Sequence, residues 1–526
     1  VPRYHLSNLT LRHDADWRQE LPRQVSRALG GRHVQAQELR IVRRAIDARR
    51  RPPSFVYTVE LDIPEELDGL PAHLALATQR APMAVEPGQR PMACPPVIIG
   101  AGPAGLLAAL LLSEHGYAPR VLERGGDVAA RQASLSLFAR TRQPDPECNA
   151  LFGLGGAGTF SDGKLGTGVR HPWREEVLRL LVDCGAPDEI LIDAKPHVGT
   201  DVLSGVVEKL RQRIVQGGGT VETGVRVDDL LVSDKGRLEV RTALGRVDAE
   251  VVVLACGHSA RDTWEMLARR GFHLQPKPFQ MGIRAEHPQS FINEARYGRP
   301  APSALGAADY KLAGRSGQVP VFSFCMCPGG ETMPTVNEPE HLSINGMSLH
   351  ARASAFSSSA LVATLEPNVY DGRDLAACLQ FQRRVEKACF RAGGANYSAP
   401  AQRLRDFAMG VASTSLPACS YRLGVAPARL DELLPPFLAN PLRDALQQFD
   451  RQMRGYLQDD ALALGVESRA SSPVRIVRDP VTLEAVGVQG VYPVGEGAGY
   501  AGGIMSAALD GLNAAARIIE KFRPPL

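Results

Sequence analysis

The sequence predicts an α/β protein. A Rossmann-like domain is split in two by a mixed α+β domain, and a small ferredoxin-like α+β domain precedes both. Three observations carry this. A glycine-rich turn, VIIGAGPAG (97–105), follows a short apolar strand and opens a helix. A returning strand, AEVVVLACGHS (249–259), ends in another turn of small residues. Far downstream, YPVGEGAGYAGGIM (492–505) leads into a helix of small side chains with no strand-helix-strand unit behind it. At 526 residues the chain exceeds one core, while 44% hydrophobic and 22% charged residues are ordinary for a globular protein.

In chain order, residues 4–11 read as a strand, 14–30 as a helix, and 38–47 and 55–63 as two further strands. Phe55, Tyr57, Val59 and Leu61 alternate as a half-buried strand requires. Residues 64–96, rich in Pro, Ala and Gly, read as a linker. The expected division is an N-terminal accessory domain with its linker (1–90), the first part of the dinucleotide domain (91–270), a substrate or cap domain (271–475) and the second part of the dinucleotide domain (476–526).

The net charge of +3 is unevenly spread: residues 1–60 hold 12 Arg against 6 Asp and Glu. ELRIVRRAIDARRRPPS (38–54) could meet RNA or another anion, but only Phe55 and Tyr57 stand near to stack on bases. A solvated face or an interdomain docking surface is the expectation, in preference to a nucleic-acid partner. The longest apolar run, Leu106 to Leu112, is too short for a bilayer. No signal-peptide pattern opens the chain, so the expectation is a soluble, cytoplasmic protein without a membrane partner. Nine cysteines without paired CxxC motifs, and no HExxH, predict reduced thiols and no metal.

In the first turn Gly100 permits the bend, Gly102 lets backbone approach a pyrophosphate, and Gly105 lets helix and strand pack closely. Pro103 and Ala104 form the first turn of a helix whose free N–H groups face the phosphates. Glu123, 23 positions after Gly100, suits a ribose diol, and Arg124 follows it. FAD and NAD both use such a turn. Together with Ala255-Cys256-Gly257 and the closing segment, however, the pattern resembles the glutathione-reductase-like and hydroxybenzoate-hydroxylase-like FAD folds. That resemblance implies bound FAD, with Gly495 and Glu496 near ribityl and flavin. The family acid is usually Asp, and Glu is one methylene longer. The N–H groups of Gly502, Gly503 and Ile504 would face the flavin N1–C2=O edge. Arg131 stands where related flavoproteins set an arginine on the FAD phosphates. No second GxGxxG occurs, so no separate NAD(P)H domain is expected.

The chain from 40 to 518 also resembles the bacterial family usually called uncharacterised FAD-dependent dehydrogenases. The segments that carry this are RAIDARRRP, FGLGGAGTFSDGKLGTGV, LGAADYKLAGR, FSFCMCPGGETM, NGMSLHARAS, ESRASSPVRIVRD and the closing YPVGEGAGYAGGIMSAALDG. The family implies FAD but no agreed substrate.

Candidates for chemistry follow. The loop 151–168 interleaves Gly155, Gly156, Gly158 and Thr159, an anion nest, with Lys164, which could stabilise reduced anionic flavin. On a regular strand Cys325 and Cys327 share a face. Cys327 is the candidate thiol, against the strain of so short a disulfide and the inertness of packed cysteines. Tyr310 or His350 could accept a substrate proton. Asn345 is a weaker substrate contact. Arg469 or Arg475 could hold a carboxylate, or form an ion pair with Glu467. The expected function is an FAD-dependent oxidoreductase of dehydrogenase or oxidase type. It would move hydride between a small organic substrate and flavin N5, with oxygen or another acceptor taking the electrons. A flavin monooxygenase and an RNA-binding flavoprotein are the alternatives, and the oligomeric state is open.

Overall fold

A computed structural model of the protein describes residues 2–31, 33–63, 74–77, 83–233 and 236–525. Near the N-terminus, the strand Arg3–Arg12 turns Leu6, Leu9 and Leu11 inward, with a bulge between Leu6 and Leu9. The helix Trp17–Ala28 begins at Asp16, whose carboxylate accepts from the Arg18 amide, and it buries Leu21 and Val25 on the sheet. The strands run in the order Arg40–Asp47, Ser54–Asp62, Arg3–Arg12, Leu74–Leu76, and every neighbouring pair is antiparallel. Residues 64–73, the start of the expected linker, lie outside the described residues. The linker expectation needs correction. Leu74–Leu76 is a sheet strand because Leu74 pairs with buried Leu6, and Arg90–Pro91 pairs with Phe522–Arg523.

The arginine-rich strand docks on the next domain. The Arg44 backbone pairs with Ile192 and Ala194, and its guanidinium meets Asp193 at 2.8 Å.

The central sheet is parallel throughout, in the order Val491–Pro493, Val252–Leu254, Val97–Ile99, Arg120–Glu123, Thr220–Thr223. Val97–Ile99, Val252–Leu254 and Val491–Pro493 are short, apolar and buried because helices cover them. The helices Pro103–Glu114 and Ile504–Lys521 lie against each other although their sequences are far apart. Small residues make that contact possible: a Cβ on Gly511 would sit 2.0 Å from the Ala104 carbonyl oxygen. The distant closing segment thus completes the sheet that VIIGAGPAG begins.

The inserted unit is a seven-stranded mixed sheet. Its order is Ala313–Ser316, Val319–Cys327, Phe356–Leu365, Phe279–Pro288, Leu462–Glu467, Ala399–Arg403, Val425–Pro427. The helices Leu375–Ala392 and Pro436–Gln452 bury apolar faces in the same core. Where the chain leaves and re-enters, Leu274–Pro276 pairs with Val474–Ile476. Nearby, Glu386 is fully buried and accepts from Arg261 at 2.7 and 2.9 Å, from Arg469 at 3.2 Å and from Ser468 at 2.6 Å.

Gly511→Val should force the two crossing helices apart. The expected cost is roughly 1–3 kcal/mol, measured as a lower thermal midpoint by circular dichroism; an unchanged midpoint would refute the close crossing.

Candidate functional site

The residues that follow the parallel strands open on one cavity of about 320 Å³. Gly100 and Gly102, Glu123 and Arg124, Ala255 and Gly257, and Gly495 and Glu496 form one side. Phe324, Cys325, Asn345 and Arg469 of the inserted sheet face them. A crevice at the carboxyl ends of a parallel sheet is where such folds take ligands.

The glycines divide by role. Gly100 has φ +103°, and a Cβ there would lie 2.4 Å from the Ala255 carbonyl oxygen; one on Gly105 would lie 1.9 Å from the Gly100 oxygen. Those two positions are fixed by packing. Gly257, Gly502 and Gly503 have nothing within 4 Å of a Cβ, and Gly102 has only the Gly156 Cα at 3.9 Å. Bare backbone therefore faces open space at four places around one cavity. Two helix N-termini, at Gly102–Pro103 and Gly503–Ile504, open on it with free N–H groups. This cradle fits a pyrophosphate-bridged dinucleotide, and side chains at those positions would fill it.

Glu123 holds the turns together. Its carboxylate accepts from the amides of Ala101 (2.8 Å), Gly125 (2.9 Å) and Gly153 (2.8 Å), while the residue still borders the cavity. Gly495 is fixed in the same manner, its amide donating to Asp510, which pairs with Arg478. Arg124 stacks on Phe152 and is paired with Glu147 and Asp262.

Arg131 does not take the phosphate role expected of it. It is fully buried and donates to the carbonyls of Asn149, Ala150 and Leu154, so it shapes the loop behind the cofactor turn. Within the glycine loop, Gly156 and Gly158 border the cavity. Gly155 and Thr159 lie behind it, next to a small apolar void.

Lys164 borders the cavity, bonded to Asp162 at 2.7 Å and to the Met326 carbonyl. Asp162 also receives Arg352 and Ser348. Burial opposes the charge of Lys164, yet Asp162 raises its pKa. Glu496 opens on the same end of the cavity. Burial pushes its carboxyl up to about 8 against the pull of Lys277. His258, beside Ser259, is pushed down to about 4 by burial.

Three catalytic expectations are corrected. Tyr310 is a core residue bonded to the Tyr456 hydroxyl at 3.0 Å, away from the cavity. The His350 ring is stacked on His197, 5.3 Å away, and bonded to the Val198 carbonyl. Cys327 is fully buried, whereas Cys325 reaches the cavity. The reason is a bulge: the register slips between Phe324 and Cys327, and Cys325 takes φ +42°, so the alternation assumed from sequence is broken. Among the weaker candidates, Asn345 and Arg469 border the cavity. Arg469 is spent on Glu386 rather than Glu467, and Glu467 pairs with Arg284. Arg475 lies over the Tyr500 ring and does not border the cavity. Lys277 and Arg284 carried no local motif, and only the tertiary fold brings them near the site.

Among the described residues, no helix is long and apolar enough to cross a membrane. No group of three or more His, Cys, Asp or Glu among them is arranged to hold a metal.

Fold and cavity define a FAD-dependent protein with a split Rossmann-like domain. Comparison with known sequences bears this out. Residues 278–470 match the model of the FAD-dependent protein, C-terminal domain-like, and residues 98–146 match a NAD(P)-binding Rossmann-like domain. Residues 4–62 match a domain of unknown function. A Clostridium beijerinckii protein, named only as uncharacterized, is 39% identical over 99% of both chains. The chain belongs to this family of uncharacterised bacterial FAD-dependent proteins. Similar solved structures include the amino acid oxidase NikD (13% identity, 82% of this chain and 94% of that chain, TM-score 0.34). The halogenase PltM with phloroglucinol and FAD is another (10% identity, 80% and 67%, TM-score 0.36).

Glu123→Gln replaces one of two acceptor oxygens with a donor, so at least one buried amide faces an N–H group. We expect a loss of about 1–3 kcal/mol and weaker FAD retention on gel filtration; full retention with an unchanged melting point would contradict this role. Glu496 gives a pH test. Unfolded, its carboxyl releases the proton near pH 4.3; folded, only near pH 8. Its stabilising contribution is complete below the lower value and declines as pH rises through about 8. Wild-type melting temperature should therefore fall relative to Glu496→Gln between these limits, and parallel curves would refute it.

Proposed function

We propose that the protein is an oxidoreductase of dehydrogenase or oxidase type that moves a hydride between a small organic substrate and flavin N5. The observation that carries this reading is the single cavity on which two helix N-termini and an ionisable cluster both open. Bound FAD supplies the two-electron acceptor. The Gly102–Pro103 helix start would hold the pyrophosphate, and the Gly503–Ile504 helix start would favour negative charge at the flavin end.

The inserted sheet closes the opposite wall and limits water. Glu496, protonated below about pH 8, is suited to give a proton to the substrate and, once ionised, to take one. Lys164, kept charged by Asp162, favours an anion at the same end. Asn345 offers an amide for orientation, although its carbonyl oxygen already accepts from Arg284 at 3.3 Å and from the Gly346 amide at 2.7 Å.

The reading takes residues 271–475 as the substrate domain and residues 1–90 as an accessory unit of ferredoxin-like type. A docking role for the accessory unit is supported by Arg44 on Asp193, and Arg40 and Arg49 are also paired with carboxylates. That disfavours a nucleic-acid partner. We take the protein to act in the cytoplasm.

The test is anaerobic titration of the purified yellow protein with alcohols, amines, amino acids and hydroxy acids. A substrate should bleach the oxidised flavin band, and Glu496→Gln should slow bleaching at least tenfold with little change in flavin content. Bleaching by NAD(P)H alone, followed by a hydroperoxide spectrum on admitting oxygen, would instead mark a monooxygenase and overturn the dehydrogenase reading.

A further inference from the structure

The cavity wall carries a feature that hydride transfer does not use. Cys325 sits on the bulge of the strand Val319–Cys327, in the left-handed region at φ +42°, an unfavourable position for a side chain of its kind. The bulge aims Cys325 at the cavity, while Cys327 stays fully buried one step behind. Cations converge on this point from separate elements. Arg284, fully buried on the strand Phe279–Pro288 of the same sheet, donates to the Cys325 carbonyl at 2.9 Å and to the Cys327 sulfur at 3.4 Å. Lys164 bonds the carbonyl of Met326, the residue between the two cysteines.

The charges around the pair are unequal. Lys164, Arg284 and Arg352 outnumber Asp162 and Glu467, the carboxylates they bond. Other ionisable groups around the pair are Glu496 with Lys277 across the cavity, Glu286 on the Arg284 strand, and Tyr310 beneath. Burial pushes Glu496 upward, to about 8, so it does not readily supply the missing negative charge. Glu286 is raised by burial and is held by Ser420 and Thr332. A sulfur anion is the compensation left to the site. Cys327 donates to the Cys325 carbonyl at 3.3 Å, and its hydrogen bonding, helped by Arg284 and Lys164 against burial, draws the Cys325 thiol down while Cys327 goes the opposite way.

We infer that Cys325 and Cys327 form a thiolate–thiol redox pair on the cavity wall, with Cys325 attacking small organic disulfides and Cys327 resolving the adduct. The Cys325 thiolate attacks one sulfur of RSSR, the S–S bond breaks, and RS⁻ leaves. Cys327 then loses its proton and attacks the Cys325 sulfur, and the second RS⁻ departs and takes that proton. The dithiol is oxidised to a disulfide by two electrons, and RSSR is reduced to two thiols. The inference depends on the cavity wall and not on the hydride reaction.

The experiment uses FAD-loaded protein, with dithiobis-nitrobenzoate as the disulfide and iodoacetamide as the alkylating probe, read by mass spectrometry. Wild type should rapidly release two equivalents of thionitrobenzoate and end with a Cys325–Cys327 disulfide. Cys327→Ser should stop at one equivalent, with the label on Cys325, and Cys325→Ser should lose the fast phase. Alkylation of Cys325 should reach half its plateau rate well below the pH of about 8.5 at which an ordinary thiol does so. Lys164→Met should move that midpoint up by about one unit. A stable mixed disulfide in wild type overturns the pair. So does an unreactive Cys325, or one that titrates like an ordinary thiol, and the wild-type alkylation profile decides this even if a variant does not fold. The flavin reading is judged separately by the yellow chromophore and its bleaching.

Discussion

The buried carboxylate of Glu386 is the contact on which the arrangement of the site depends. It lies on a helix of the inserted domain and binds Arg261, which follows the third turn of the dinucleotide sheet, and Arg469, just before the chain returns to that sheet. Burial alone would favour the neutral acid, but the two guanidinium groups hold it well below the usual carboxylate range. A pair of arginines enclosed together needs such an anion, because neither can shed its charge. One carboxylate thereby fixes both walls of the cavity against each other.

On the cofactor side the same economy recurs with smaller charges. Glu123 ties three turns through three amides, and Asp510 ties the closing turn while paired with Arg478. Each acid serves the backbone, which leaves the helix N-termini at Gly102 and Gly503 free to face the cofactor. Elsewhere around the cavity the pKa values of the ionisable groups are pushed apart. Lys164 is held charged, whereas Glu496 is held neutral up to about pH 8. Such separation of neighbouring groups is typical of sites that move protons.

The cofactor half was legible in the sequence because its requirements are local. A strand, a turn that excludes Cβ atoms at Gly100 and Gly105, and a helix start are set by neighbours in the chain, and Glu123 follows at a fixed distance. The pairing of the first turn with the closing segment was also readable, since both present bare backbone. The catalytic half was not, because its residues meet only through the inserted sheet. Arg131 looked like a phosphate ligand until its guanidinium met the carbonyls of 149–154. Tyr310 and His350 have ordinary polar surroundings that no spacing rule reveals. Cys325 and Cys327 exchanged roles because one inserted residue in the strand undid the alternation. Lys277 reaches Glu496 only because Leu274–Pro276 pairs with Val474–Ile476.

The helix Ile504–Lys521 has a further consequence, for biosynthesis. On the ribosome, residues 103–114 emerge long before the helix that covers them, and their side chains from Ala104 to Ser113 are all buried in the finished molecule. Until the last strand and helix arrive, that apolar flank has no permanent cover and the nucleotide crevice lacks one of its helix starts. A chain broken off before residue 504 lacks that helix start and presents the apolar flank to chaperones and proteases.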